Sequence, residues 1–133
     1  MNHFRYGRFI KGSDDFSGKV IPSVPSQTLS FMVLSRFDNG LYCHATYYYS
    51  SKIFLDDANR FSADPYRLLN IRAGWDHTGT KKKRLHFYAG VENLLDESYS
   101  LGNDINAPAG RFFNTAPRRN YYLGVALKFP GKF

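Results

Sequence analysis

Apolar and polar side chains alternate along several stretches of this chain, and the alternation is clearest in residues 121–129. One parity of that stretch is apolar, whereas the other holds small or polar side chains such as Gly124 and Lys128. Successive side chains of a β-strand point to opposite faces, so this pattern predicts a strand with one oily face. Alternation alone does not distinguish an oily face on a protein core from one in lipid. The apolar parity is Tyr121, Leu123, Val125, Leu127 and Phe129.

The same period predicts a sheet of five full strands, with a shorter sixth strand over residues 3–10. Between the first two strands, Asp38-Asn39-Gly40 predicts a tight hairpin turn, because Asn-Gly tolerates the positive φ angles that such turns need. Two further stretches read as loops: residues 14–26 carry prolines, which remove ladder donors, and residues 55–65 are acidic. The five strands are predicted at about residues 28–37, 41–54, 66–76, 84–94 and 121–129.

Two ordered motifs near the end of the chain resemble the C-terminal end of TonB-dependent outer-membrane receptors. In that family a strand end of the pattern G-V-x-N-L-hydrophobic-D-x-x-Y precedes a long outer loop and a last strand that begins near P-x-R. Here the first motif is Gly90, Val91, Asn93, Leu94, Leu95, Asp96 and Tyr99, and the second is Pro117, Arg119, Tyr121 or Tyr122, Gly124 and Phe129. Two shorter elements are similar to the family as well: Gly18, Ile21, Pro22, Val24 and Pro25, and then Asp56, Asp57, Ala58 and Asn59.

The resemblance implies an all-β fold, an antiparallel meander of about five to six strands that forms an arc of a larger transmembrane β-barrel. It implies the family's activity as well, which is uptake of a scarce ligand such as a ferric siderophore across the bacterial outer membrane. The partners implied are outer-membrane lipid, the remaining barrel and plug of the receptor, and an iron-chelate ligand. TonB is expected to act only through that remaining part.

The chain departs from the family at its start. No plug domain or TonB-contacting segment is found in its 133 residues, and the first residues lack the apolar core of a signal peptide. We therefore expect residues 1–133 to be the C-terminal segment of a receptor barrel, with plug domain and signal peptide absent. Such a segment is not transport-competent alone, and it reaches the outer membrane only if it is exported.

The candidate ligand-binding residues lie in the two predicted outer loops. Aromatic rings beside arginine can grip an anionic chelate, because arginine stacks on the rings and supplies the positive charge. The alternative is that these side chains simply cover the barrel mouth. The candidates are Asp56, Asp57, Arg60, Asn103, Asp104, Asn106, Arg111, Phe112 and Phe113.

Other functions find less support in the sequence. No phosphate-binding glycine loop or nucleophile elbow is present, and neither the four histidines nor Cys43 has metal-ligand spacing, so we expect no enzyme, no cofactor and no metal site. The net charge of +7 and the Lys-rich stretch 81–84 raise the question of nucleic acid. That stretch lacks interleaved aromatics and falls in a predicted turn, so no nucleic-acid partner is expected. A small soluble β-barrel that binds an apolar ligand stays open as the alternative function.

Overall fold

The computed structural model describes residues 3–78 and 84–128. Within them the chain forms eleven strands and one short 3-10 turn, Pro108–Gly110. The predictions for Phe129 and for the basic turn at residues 79–83 lie outside the described residues. The strands are β1 (Ile10–Lys11), β2 (Asp14–Asp15), β3 (Thr28–Arg36), β4 (Leu41–Ser50), β5 (Ile53–Phe54), β6 (Ser62–Ala63), β7 (Tyr66–Thr78), β8 (Arg84–Glu92), β9 (Ser100–Asn103), β10 (Phe113–Thr115) and β11 (Asn120–Lys128).

The five longest strands make one sheet in the order β11-β8-β7-β4-β3. Each begins at the start of a predicted strand or one residue before it. The pairing of β8 with both β7 and β11 is antiparallel; Ala89, for example, lies opposite Ala73 on one side and Leu123 on the other. Among the described residues, β3 and β11 each have one neighbour in this sheet, so they are its edges.

The hairpin between β3 and β4 turns at the predicted residues Asp38-Asn39-Gly40. Phe37 donates its N–H to the Leu41 carbonyl, and Gly40 donates to the Phe37 carbonyl, which makes a three-residue loop. Of the three loop residues only Gly40 has a positive φ, of 87°. A three-residue loop of this kind needs the left-handed conformation at its last residue alone.

Two of the strand predictions differ from the structure. The strand expected at 41–54 ends at Ser50, because the Ser51 hydroxyl accepts the Gln27 N–H and so takes the place of a ladder carbonyl. Ile53–Phe54 then pairs separately with Ser62–Ala63. The strand expected at 3–10 was wrong: this segment has a single bridge, Arg5 to Val20, before β1 pairs with β2.

The chain divides into two compact units. The first contains residues 3–29, 48–67 and 98–117, and it holds the predicted outer loops. The second contains residues 30–47, 68–78, 84–97 and 118–128, and it holds most of the five-stranded sheet. No helix among the described residues is both long and apolar enough to cross a membrane.

The apolar parity of the sheet faces outward rather than into a core. Leu123 is 84% exposed, and Phe31, Val33 and Leu127 are also exposed. The buried apolar side chains of the described residues are instead few: Tyr42, Leu55, Phe112 and Ala116. A small soluble barrel would require the oily parity to fill an interior, and the described part of the chain does not arrange it that way.

The opposite face carries tyrosine rings that lie over glycines of neighbouring strands. Tyr42 covers Gly74, Tyr88 covers Gly124 and Tyr122 covers Gly90. A Cβ atom on any of these glycines would come within 3.0 Å of the covering ring. The glycines are therefore required by close approach, and not by any unusual backbone angle.

Candidate functional site

The first outer loop is built around the buried carboxylate of Asp56. This group accepts the backbone N–H of Arg60 at 2.7 Å and that of Phe61 at 2.9 Å, and it also accepts the Arg60 Nε–H at 3.0 Å. Burial alone would raise the pKa of Asp56, but the hydrogen bonds from Phe61 and Arg60 outweigh it and lower the pKa. Asp56 therefore stays ionised and fixes the turn that presents the exposed Arg60 side chain.

Two amide side chains join this loop to distant segments of the same unit. Asn59 uses both ends of its amide on Val20, accepting the Val20 N–H and donating to the Val20 carbonyl, each at 2.8 Å. Asn106 does the same to Asp57, accepting its N–H and donating to its carboxylate, each at 3.0 Å. Asn59 thus takes the place of a strand partner, whereas Asn106 bonds one backbone group and one side-chain group.

Asp57 has a third partner in Tyr6, whose hydroxyl donates to the carboxylate at 2.7 Å. Burial and this hydrogen bond raise the pKa of Tyr6 to about 12. The carboxylate is thus tied to the Tyr6 segment and to Asn106 in the last outer loop. It is a connecting group as well as a candidate ligand.

The last outer loop is held by an aromatic anchor. Phe112 is buried, with its ring centroid 5.0 Å from that of Phe61, and its carbonyl accepts the Asp104 N–H at 3.0 Å. The neighbouring Arg111 and Phe113 are exposed. Because Phe112 is anchored, the side chains of Arg111 and Phe113 on either side of it lie exposed on the surface of this unit.

A groove of about 520 Å³ lies beside this loop in the same unit. Tyr66 and Tyr99 line it, with ring centroids 5.1 Å apart in a stacked arrangement. Asn103 lines it as well, and its buried Oδ1 accepts no hydrogen bond from the described residues. The groove thus combines aromatic faces with an unused acceptor and the Asp64 carboxylate. Hydroxyl side chains line it as well: Ser23, Ser62, Ser98, Ser100 and Thr115.

The structure brings the two predicted loops together, but only part of the candidate set lines the groove. Asp57 and Asn106 bond each other, and Phe112 packs beside the first loop. Asn103 and Phe113 are the candidates on the groove wall. Tyr66 and Tyr99 were missed. Tyr99 closes the D-x-x-Y motif and could have been found from it, whereas Tyr66 opens a strand with no special pattern.

The two C-terminal motifs meet in the second unit. The Asp96 carboxylate receives a bidentate contact from Arg118, through Nε at 3.1 Å and an Nη at 3.0 Å, and it accepts the Arg119 N–H at 3.0 Å. The Arg119 Nε also donates to the Leu94 carbonyl. The contact from Arg118, and next the Arg119 N–H, lower the pKa of Asp96 to about 2. These contacts form a clamp between the end of β8 and the start of β11.

The face of the sheet on which tyrosine rings lie over glycines also carries polar groups. Asp76 pairs with His86 and with Arg36, and the Arg72 guanidinium lies 4.2 Å from the Tyr88 ring centroid. The Nε atoms of Arg72 and of His44 are buried without a hydrogen-bond partner among the described residues. Within residues 3–78 and 84–128, no three His, Cys, Asp or Glu side chains gather as metal ligands.

Two comparisons with known proteins agree with this geometry. The family model of the TonB-dependent receptor-like β-barrel matches residues 1–94. Among solved structures, the fold is similar to the crystal structure of BauA, the ferric preacinetobactin receptor from Acinetobacter baumannii, with a TM-score of 0.67 and 19% identity. The match covers 84% of this chain and 16% of that chain. The predicted fold class, an antiparallel all-β arc of a larger barrel, is confirmed.

Proposed function

The chain belongs to the TonB-dependent receptor-like β-barrel family, and from this membership we propose that it is part of an outer-membrane receptor that takes up a scarce ligand such as a ferric siderophore. The observation that carries the proposal is the two-faced sheet. Its oily parity is exposed, while its other face holds tyrosines, Asp76, His86 and Arg72. A barrel wall needs that division between lipid and a watered interior.

Lipid would supply the burial that the described residues lack. Leu123, Val125 and Leu127 are all more than half exposed. Transferring such a side chain from water to hydrocarbon contributes about 1.5–3 kcal/mol each. The outer membrane is therefore the proposed location, with lipid acyl chains in contact with the apolar face of the sheet.

The segment is proposed to act only with the rest of a receptor. Closed membrane barrels begin at about eight strands, and lipid cannot satisfy the open backbone groups of an edge strand. The remaining barrel and plug are the proposed partners, and TonB would act through them rather than on this chain. Transport by the five strands alone is not proposed.

The ligand is proposed to bind at the outer-loop unit. The groove beside Tyr66 and Tyr99 offers stacked aromatic faces, and Arg60 and Arg111 add positive charge at the surface of the same unit. The arginines suit the charge of an anionic iron chelate, and the aromatic faces can pack against its apolar parts. In a receptor that carries this segment, Tyr99→Ala should weaken binding of its ferric chelate, whereas Leu95→Ala in the second unit should not.

Trp75 tests the membrane placement directly, since it is the single tryptophan of the chain and lies on the oily parity. It is 36% exposed, and its Nε1–H donates to the Asn39 carbonyl at 2.9 Å, so the ring is fixed in place. In vesicles that contain brominated lipid, we expect strong quenching of Trp75 fluorescence. In a Trp75→Phe, Tyr88→Trp variant the fluorophore lies on the opposite face, and quenching should be weak.

The same samples distinguish the alternative. A soluble barrel that binds an apolar ligand would stay in the supernatant on fractionation and would show no quenching in either variant. A chain that pellets with membranes and is quenched only at Trp75 supports the receptor proposal. Equal quenching of both variants would contradict it.

A further inference from the structure

A second groove in the outer-loop unit is lined by basic and apolar side chains. Its volume is about 240 Å³, and it shares no lining residue with the groove beside Tyr66 and Tyr99. We propose that this second groove binds the phosphate monoester of a lipid headgroup. The inference rests on the proposed placement of the sheet in a membrane only for the depth of the groove, and it adds a lipid site that is separate from the proposed ligand site.

The second groove carries an excess of positive charge. Three of its lining residues are basic, namely His3, Arg5 and Lys52, and no Asp or Glu of the described residues lines it. Arg5 donates one Nη–H to the Gly18 carbonyl at 2.9 Å, which leaves further N–H groups of its guanidinium for a ligand. Lys52 forms no salt bridge within residues 3–78 and 84–128, and its Nζ lies 5.1 Å from the Phe54 ring centroid. Its ammonium group is therefore available as well.

This charge suits a phosphate monoester better than a carboxylate. Arg5 and Lys52 supply two positive charges, and a phosphate monoester carries about −1.5 to −2 at pH 7, whereas a carboxylate carries a single negative charge. The Ser26 hydroxyl also lines the groove and shares a 3.0 Å hydrogen bond with Ser51 Oγ. When Ser51 donates in that bond, the Ser26 proton is free for a phosphate oxygen.

The size and the apolar lining of the groove distinguish a lipid headgroup from other phosphate or chelate ligands. Pockets for drug-sized ligands have volumes of about 300–1,000 Å³, so this smaller groove fits a headgroup better than a complete chelate. Inorganic phosphate has no apolar part, whereas a lipid has its first acyl carbons beside the headgroup. Phe4 is 54% exposed and available for contact with such carbons. The apolar lining residues are Phe4, Val20, Val24 and Phe54.

The position of the groove along the chain matches the headgroup layer of a bilayer. β3 has nine residues and β4 has ten, close to the roughly 9–11 residues that a tilted strand needs to cross the hydrocarbon. Ser26 precedes β3 by two residues and Lys52 follows β4 by two residues, which is about 7 Å of chain at most. The polar layer on each side of a bilayer is about 5–7 Å thick, so both residues fall near it when the strands span the hydrocarbon.

Lipid binding to the full chain in detergent micelles tests the assignment. The probe is dihexanoyl phosphatidic acid, a phosphate-monoester lipid, and isothermal titration calorimetry against empty micelles measures its affinity. An Arg5→Gln, Lys52→Gln variant should bind the probe about tenfold more weakly. The matched control, Arg8→Gln, Lys19→Gln, removes the same charge from exposed residues that do not line the groove, and its affinity should change less than about twofold. Equal losses in the two variants would overturn the inference.

Two other probes identify the chemistry of the bound group. Dihexanoyl phosphatidylglycerol has the same chains on a phosphate diester, and inorganic phosphate has no chains. Each should bind the parent at least about fivefold more weakly than phosphatidic acid. Equal affinity for phosphatidylglycerol would overturn the assignment to a monoester, and equal affinity for inorganic phosphate would overturn the assignment to a lipid.

A single variant guards against loss of the fold in the double variant. Lys52 donates no hydrogen bond within the described part of the chain, so Lys52→Gln should leave the structure intact and weaken phosphatidic acid binding about threefold. An unchanged affinity would overturn the inference.

Quenching of Trp75 by brominated lipid in vesicles reports membrane placement separately. Loss of quenching with unchanged lipid affinity in micelles would reject the proposed function and support the phosphate site. Retained quenching with equal losses in the two double variants would reject the phosphate site alone.

Discussion

Replacing Gly74 by alanine tests the tyrosine-covered face of the sheet, because the added Cβ would lie 2.5 Å from three atoms of the Tyr42 side chain, namely Cε1, Cζ and Oη. Tyr42 cannot move away without losing its contacts with His86. It is only 8% exposed, its ring stacks on His86 with centroids 5.7 Å apart, and its hydroxyl shares a 3.3 Å hydrogen bond with His86 Nε2. The substitution therefore forces a methyl group against a side chain that is held in place.

The magnitude follows from three terms. Overpacking of a tight contact costs about 1–3 kcal/mol. Displacing the Tyr42 hydroxyl would add about 1 kcal/mol for the lost hydrogen bond. Alanine is favoured over glycine in a strand by roughly 0.5–1 kcal/mol, which opposes both. Because the steric term is the largest, we expect Gly74→Ala to lower the free energy of unfolding by about 1–3 kcal/mol.

The assay is urea unfolding of the full chain in detergent micelles, followed by the fluorescence of the adjacent Trp75. Gly102→Ala is the matched control, since Gly102 also lies in a strand and its nearest atom would be Asn114 Nδ2 at 4.0 Å. That change should be neutral or slightly stabilising. In a Tyr42→Ala background the clash is absent, so Gly74→Ala should lower the free energy of unfolding much less than it does in the parent. Equal midpoints for Gly74→Ala and Gly102→Ala would refute the steric argument.

Three further outcomes follow from the loops and the clamp. The pKa of Asp96 is about 2 in the folded chain, against an ordinary value of 3.8, so the stabilisation by this carboxylate is present above about pH 4 and is lost as the pH falls through 2. Over that range the urea midpoint of Asp96→Asn should fall less than that of the parent. Parallel falls of the two midpoints would contradict this. Phe112→Ala should cost about 3–5 kcal/mol because the ring is buried, whereas exposed Phe113→Ala should cost much less, as measured by unfolding free energies; equal losses would refute the anchor. Asp56→Ala should cost about 1–3 kcal/mol by leaving backbone donors unpaired, and rapid proteolysis near the first loop should report it; an unchanged cleavage rate would count against that role.

Strand positions were largely predictable, because a period of two survives in residues 84–91 and 120–128 regardless of what surrounds them. The end of β4 was not predictable. Tyr47, Tyr48 and Tyr49 continue the β pattern toward Phe54, and only the pairing of the Ser51 hydroxyl with Gln27 shows where the ladder stops. A side-chain oxygen that replaces a carbonyl leaves no trace in the hydropathy pattern.

The candidate site was predictable as a pair of loops and not as a set of contacts. Asn59 bonds Val20 across 39 positions, and Asn106 bonds Asp57 across 49. Nothing local distinguishes these amides from ordinary loop residues, since their partners are brought close only by folding. The roles of the glycines under tyrosine rings were hidden for the same reason, because each ring comes from a neighbouring strand.

The clamp of Asp96 with Arg118 and Arg119 makes the intervening loop modular. Its two anchor points are fixed by ion pairing and backbone contacts whose geometry does not depend on the residues in between. The strands on either side can therefore keep their register when exposed residues of segment 98–117 change, whereas Asn106 and Phe112 remain tied to the first outer loop.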